Sequence, residues 1–260
     1  MRNTLRFILA ICGLALTCGA ESQYYVQKSA KKLPEPLRKL NSSGIKALGK
    51  ERYEEAVGIY SKFIQRAPKL ALGYANRGTA YMHLRRFEPA YSDYEKAVDL
   101  DPSLRKMIDP SEPLLRLGMG KIERGDLDGA ESLLSTATAK DPGNAFAWNE
   151  LAFISAQKRD YARCLERASK ALAIRPDYAE ALSNRGGCYS AGSYFQKALR
   201  DLDMAISIKP EKAEPYLTRG GVHAAQKRCA AARADISKAV SLDPSLVGSA
   251  ALFLGGCPAQ

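Results

Sequence analysis

The sequence predicts an all-α protein made by repeating one two-helix unit six times, and three regularities say so. Small residues recur at Ala56, Ala90, Ala130, Cys164, Ala198 and Ala232, spaced by 34 residues except for one interval of 40. Each is followed twelve residues later by a proline: Pro68, Pro102, Pro142, Pro176, Pro210 and Pro244. Each is preceded twelve residues earlier by Gly44, Gly78, Gly118, Ala152, Gly186 or Gly220. A fixed period of this length is the mark of a repeat architecture.

Each element follows from side-chain chemistry. Between the small residues, apolar positions recur at three- and four-residue steps, as a helix buried on one face requires. The two small residues of a unit mark the crossing of its antiparallel helices, where a larger side chain would hold the backbones apart. The proline closes the second helix because it lacks an N–H and restricts the residue before it. Pro89 falls in the first turn of a second helix, where proline is tolerated.

Read this way, six units begin at Leu37, Ala71, Ser111, Ala145, Ala179 and Ala213 and run over residues 37–70, 71–104, 111–144, 145–178, 179–212 and 213–244. The second supplies Tyr74, Gly78, Tyr81, Phe87, Ala90, Tyr94, Ala97 and Pro102 in order, and so resembles the tetratricopeptide repeat family. The resemblance implies a right-handed α-solenoid with a concave groove formed by the first helices. It also implies that positions 2, 5, 6, 9, 12 and 13 of each unit face that groove. The first unit is the weakest match, with Ser43 and Ala47 at positions the family fills with Leu and Tyr. Residues 245–260, with "SLVGSAALFLGG", read as a final helix and tail capping the last apolar face, which a solenoid needs for solubility. The six extra residues, Arg105 to Pro110, are expected to be a tolerated loop.

Position 7 is Arg77, Arg185 and Arg219 in the second, fifth and sixth units, and position 23 is Asp93, Asp201 and Asp235 in the same three. Elsewhere position 7 is Ser43, Leu117 or Leu151 and position 23 is Ile59, Leu133 or Arg167. The two residue types come and go together. The expectation is a structural ion pair joining the helices of one unit: Arg77 with Asp93, Arg185 with Asp201, Arg219 with Asp235.

Residues 1–20, "MRNTLRFILAICGLALTCGA", combine Arg2 and Arg6 with a short apolar run and small residues at its end, as a secretory signal does. Residues 21–36 read as a flexible basic linker. An exported protein of the bacterial periplasm or cell envelope is expected, with an uncleaved anchor or a lipid on Cys18 as the membrane-bound alternative. The formal charge of +11 becomes +9 without Arg2 and Arg6. That suits acidic partners in general, but no aromatic-studded basic stripe supports nucleic acid or another anionic polymer as ligand.

Nothing points to catalysis. His83 and His223 are the only histidines, and no metal-ligand or nucleophile motif accompanies them. Neither a metal nor a cofactor is expected. Asn41-Ser42-Ser43 matches a glycosylation sequon but falls in a predicted helix. Of the four cysteines beyond Ala20, Cys164 and Cys229 occupy packing positions and read as buried thiols. A bond between Cys229 and Cys257 would instead staple the cap to the last unit.

Function is therefore expected in the groove, as a protein-binding scaffold. Asn76, Met82, Arg116, Met119, Ile122, Asn149 and Phe153 form a mixed lining suited to a peptide, and Asn184, with the small Gly187 and Gly221, a shallower one. The resemblance also matches Asn76 and Asn184 to the asparagine with which members of the family hold a chaperone's C-terminal carboxylate. The remaining members of that clamp are absent: Asn41, Ile45 and Glu112 stand where Lys, Asn and Lys are needed, and only Arg116 fits.

Overall fold

The computed structural model describes residues 33–248, 250 and 257, so the expected secretory signal with Cys18, most of the expected basic linker and most of the proposed cap lie outside the described residues. Among those described there are twelve α-helices and no strands. The helices form consecutive pairs. They are α1 (Glu35–Gly49), α2 (Tyr53–Arg66), α3 (Ala71–His83), α4 (Phe87–Leu100), α5 (Ser111–Glu123), α6 (Leu127–Lys140), α7 (Ala145–Gln157), α8 (Tyr161–Ile174), α9 (Ala179–Ala191), α10 (Phe195–Ile208), α11 (Ala213–Ala225) and α12 (Cys229–Leu242). The chain divides into two compact units, one running to Gly120 and one from Lys121.

One turn chemistry closes every first helix. The residue at repeat position 15 adopts a left-handed backbone: Glu51, Arg85, Gly125, Arg159, Ser193 and Lys227 all have φ between 56° and 77°. The next residue then returns its N–H to the carbonyl five residues back, at 2.9 Å in all six units, as in Arg86 to Tyr81 and Arg228 to His223. This is the bonding of a left-handed helix cap. Only Gly125 is the residue type that adopts this conformation without cost.

The crossing of paired helices follows a size rule. A Cβ on Gly78 would meet the Tyr94 ring at 2.6 Å, one on Gly186 would meet Leu202 at 2.8 Å, and one on Gly220 would meet Ile236 at 2.7 Å. In the fourth unit the glycine is replaced by Ala152, and the residue opposite shrinks to Ala168, both fully buried. A larger residue on the first helix is thus met by a smaller one on the second, as close-packed interiors demand.

In the first compact unit the core joins Ala47, Leu48, Ala56, Tyr60 and Phe63 to Leu72 and Ala80. The six inserted residues do not form a simple loop there. A 3₁₀ turn spans Pro102–Lys106, with the Asp101 carboxylate accepting the Ser103 N–H at 3.0 Å. Leu104 is buried, and Leu100, Met107 and Ile108 pack with it against Ala71, Ala75 and Ala97. The apolar residues within and beside the insertion are the reason: they take Ala71 and Ala75 of α3 and Ala97 of α4 out of water. Asp109 then accepts the Ser111 N–H at 2.8 Å and opens α5.

In the second unit, Ala171, Leu172, Tyr178, Ala181, Leu182 and Ala205 make one cluster and Ala198, Leu202 and Val222 another. Pro244–Leu246 is a second 3₁₀ turn, again with an aspartate, Asp243, accepting the serine N–H that follows the proline, at 2.9 Å. Residues 247, 248 and 250 are helical beyond it. Cys257 is buried against Ala224 and Ala232 and bonded to Cys229, with Cα atoms 5.4 Å apart. A second disulfide joins Cys164 to Cys188, Cα atoms 6.4 Å apart. Cys164 is therefore not a free packing thiol: α8 and α9 bring it against a second cysteine that replaces an ordinary packing residue.

Candidate peptide-binding face

The three arginines at position 7 stand on first helices and reach second helices of the same repeat. Arg77 Nε and Nη2 donate to Asp93 at 2.8 and 2.9 Å, Arg185 to Asp201 at 2.7 and 3.0 Å, and Arg219 to Asp235 at 2.8 and 2.7 Å. Each is a two-pronged guanidinium–carboxylate pair, the strongest hydrogen-bonded form of an ion pair. The aspartates are buried, and the side chain of each arginine is less than a quarter exposed. Bonding to Asp93 raises the Arg77 pKa, and bonding to Asp201 raises that of Arg185. Tyr74 and Tyr81 each place a ring 5.9 Å from the Arg77 guanidinium, near enough for a cation–π contribution. These groups are spent on the fold.

The third nitrogen of each arginine reaches position 25 of the preceding repeat. Arg77 Nη1 donates to Ser61 at 3.1 Å, Arg185 Nη1 to Ser169 at 3.5 Å and Arg219 Nη1 to Asp203 at 2.6 Å. One side chain therefore ties two helices within a repeat and two repeats to each other.

On the first-helix face, asparagines form two rungs. Asn76 Nδ2 lies 3.5 Å from Asn41 Oδ1 in the first unit, and Asn184 Nδ2 donates to Asn149 Oδ1 at 2.9 Å in the second. Asn149 is buried: its Oδ1 accepts from Asn184 and its Nδ2 donates to Glu150 at 3.0 Å. Asn184, Asn76, Met82, Met119, Ile122 and Phe153 are half-buried. Arg116 is exposed and bonded to Glu112 at 2.7 Å. A Cβ on Gly187, three residues beyond Asn184, would meet only a methyl of Thr218 at 4.0 Å. The floor beside Asn184 is open.

Acidic groups border this rung. Burial, with the neighbouring Glu180, pushes the Glu150 carboxyl up. Burial would also raise Glu180, but Lys209 at 2.6 Å holds it below the usual carboxylate range. Among the described residues, no group of three or more His, Cys, Asp or Glu is placed to hold a metal ion, and no helix is long and apolar enough to cross a membrane.

Residues 71–104 and 115–163 each match the tetratricopeptide repeat family. The chain is built of tetratricopeptide repeats. The crystal structure of YrrB, described as a tetratricopeptide repeat protein with an unusual peptide-binding site, superposes with a TM-score of 0.55 at 19% identity, over 74% of this chain and 95% of that one. Among relatives, small glutamine-rich tetratricopeptide repeat-containing protein 2 of Saccharomyces cerevisiae is 29% identical over 51% of the chain. The Hsp70-Hsp90 organizing protein of Triticum aestivum is 33% identical over 40% of it. The chain spans 34% and 17% of those two proteins' own lengths.

In the tetratricopeptide repeats of the first unit, the residues that would form a carboxylate clamp are engaged with one another. Asn41 is buried under Asn76. Glu112 pairs with Arg116, the one residue that fits the clamp. A terminal carboxylate approaching Arg116 meets the competing Glu112 carboxylate.

Two features of these repeats escape sequence reading. The Cys164–Cys188 bond carries no signal beyond an even cysteine count, since both residues sit where small packing residues are ordinary. The contacts to position 25 are masked because Ser61, Ser169 and Asp203 share no single residue type.

Proposed function

We propose that this tetratricopeptide repeat protein is a non-enzymatic scaffold that holds an extended peptide segment of a partner on its first-helix face. The observation that carries the reading is the state of Asn184. One of its amide hydrogens is used on Asn149, which leaves one N–H and the carbonyl oxygen to offer together. That is the donor–acceptor pair presented by one peptide unit, and the open floor at Gly187 lets a backbone approach. The similarity to co-chaperone adaptors and to YrrB supports a protein ligand, while the engaged Asn41, Glu112 and Arg116 argue against a chaperone's carboxylate tail at the first unit.

The same reading puts the protein in the periplasm or cell envelope of a bacterium. Support comes from the basic-then-apolar residues 1–20 and from two closed disulfides, which persist in oxidising compartments.

A random peptide library selected on residues 33–260 tests the binding claim. The selected peptides should lose tenfold or more in affinity, about 1.4 kcal/mol, with Asn184→Ala, and should carry no requirement for a free C-terminus. Selections whose peptides bind Asn184→Ala as tightly as the parent would overturn it. Intact mass after cell fractionation tests the location, since a soluble species beginning at Glu21 is expected.

A further inference from the structure

Arg77, Arg185 and Arg219 make the same two bonds within their repeats and differ in the third. Between the fifth and sixth repeats, the carboxylate of Asp203 lies 2.6 Å from Arg219 Nη1, so that one guanidinium serves two carboxylates. Between the first and second, the Ser61 hydroxyl takes that place at 3.1 Å. Between the fourth and fifth, Ser169 only reaches the 3.5 Å limit of a hydrogen bond. Arg185 Nη1 is the least satisfied of the three.

Arg185 also borders a cleft. A space of about 340 Å³ opens between α8, α9 and α10, lined by Arg185 and Ser169 together with Leu172, Pro176, Leu182 and Met204. Met204 and Ile208 are one helical turn apart on α10 and are 45% and 39% exposed, and Ile174 at the end of α8 is 42% exposed. The residue in the second repeat equivalent to these two isoleucines, Leu100, instead packs, as Met107 and Ile108 of the insertion do, against the cluster of Ala71, Ala75, Ala97 and Leu104. The same repeat position is thus partly buried in the second repeat and exposed in the fourth and fifth.

We propose that this cleft is a second binding site, separate from the first-helix face, for a carboxylate joined to an apolar side chain. Arg185 Nη1 receives the carboxylate in the place Asp203 holds on Arg219. Leu172, Pro176 and Met204 receive the apolar group. The carboxylate comes from a peptide's C-terminus or from an Asp or Glu beside an apolar residue. A cationic ligand is excluded by the guanidinium at the cleft's polar end, and a purely apolar one leaves that guanidinium facing hydrocarbon.

Nuclear magnetic resonance titration of the full mature chain, observing the Ser169 amide and the Met204 methyl group, tests the site with three probes. N-acetylleucine carries a terminal carboxylate, N-acetylleucinamide lacks any charge, and acetyl-glutamyl-leucinamide carries a side-chain carboxylate. Saturable shifts are expected with at least one acid, and binding of the uncharged amide should be tenfold weaker or worse. Ser169→Asp places the protein's own carboxylate on Arg185, as Asp203 does on Arg219, and should abolish the shifts without loss of fold. Ser169→Asn, neutral and of the same size, should keep them. The stronger of the two acids names the source of the carboxylate. Equal binding of the amide, undiminished binding to Ser169→Asp, or no saturable shift with any probe would each overturn the proposal.

Discussion

The fourth and fifth repeats place the same charges in opposite ways. In the fifth, the cation is Arg185 on the first helix, and its carboxylate, Asp201, lies on the second helix of the same repeat. In the fourth, position 7 is Leu151 and the cation moves to position 23, as Arg167. Arg167 donates to the Ser155 hydroxyl at 2.6 Å and the Leu151 carbonyl at 3.3 Å, and pairs with Glu131 of the preceding repeat at 2.6 Å. Lys158 also bonds Glu131 at 2.6 Å, and the two cations hold that carboxyl below its usual range. The fifth repeat pairs its cation with a carboxylate of its own, and the fourth pairs its cation with a neighbour's. What is preserved is a satisfied cation at the crossing of the two helices, and the residue that supplies it is free to change.

The largest expected effect breaks that satisfaction in the fifth repeat. Asp201→Ala leaves the Arg185 guanidinium, 23% exposed, without its principal partner, and stranding one member of a buried pair costs about 3 kcal/mol or more. Arg185→Leu combined with Asp201→Leu copies the Leu117 and Leu133 found at these positions in the third repeat. That double variant should recover most of the loss, because an apolar pair of similar volume often replaces a buried ion pair at little cost. Urea denaturation of Arg185→Leu, Asp201→Leu and the double measures the cycle. Losses that simply add would mean that Arg185 and Asp201 are not coupled, and that the contrast with Leu151 and Arg167 has another origin.

Much of this was open to sequence reading, and the limit has a physical cause. The period, the helix crossings and the co-occurrence of Arg with Asp are visible because each demands one residue type at one offset. Asn149 marks where that stops. Its type and register match a surface lining, but its burial depends on Asn184 and Glu150, two residues whose positions only the packed helices bring together. The insertion fails for a similar reason. Leu104, Met107 and Ile108 have helical spacing but lie beyond Pro102, the residue that closes the repeat, so their role as a cover for Ala71 and Ala97 appears only with the fold.

A smaller effect sharpens the comparison through volume. Gly186→Ala in the fifth repeat drives a methyl to 2.8 Å from Leu202, and overpacking of this kind costs about 1–3 kcal/mol. The fourth repeat already holds the alternative solution, Ala152 opposite Ala168. Leu202→Ala should therefore cost less in the Gly186→Ala background than in the parent. Thermal melts that show the same cost in both backgrounds would remove the size rule as the reason these positions vary together.

The smallest expected effect is a gain, and it falls on both repeats alike. Arg159 closes the first helix of the fourth repeat at φ 59°, and Ser193 closes that of the fifth at φ 62°. A side chain in the left-handed region costs about 1–2 kcal/mol relative to the right-handed one, whereas glycine occupies it freely. Arg159 is exposed, so its replacement disturbs no packing. Glycine also widens the unfolded ensemble, which offsets part of the benefit by about 0.4–1 kcal/mol. A net stabilisation of about half a kcal/mol to 1 kcal/mol is expected for Arg159→Gly, and the same for Ser193→Gly, with Gly125→Ala destabilising by a similar amount. The sign decides between two accounts of the turn. Stabilisation at both positions means that the turn is set by the backbone and that arginine or serine there is tolerated. A loss at Arg159 with a gain at Ser193 would mean that the arginine side chain contributes to the fourth repeat as Arg167 does, and would extend the contrast between the two repeats from their crossings to their turns.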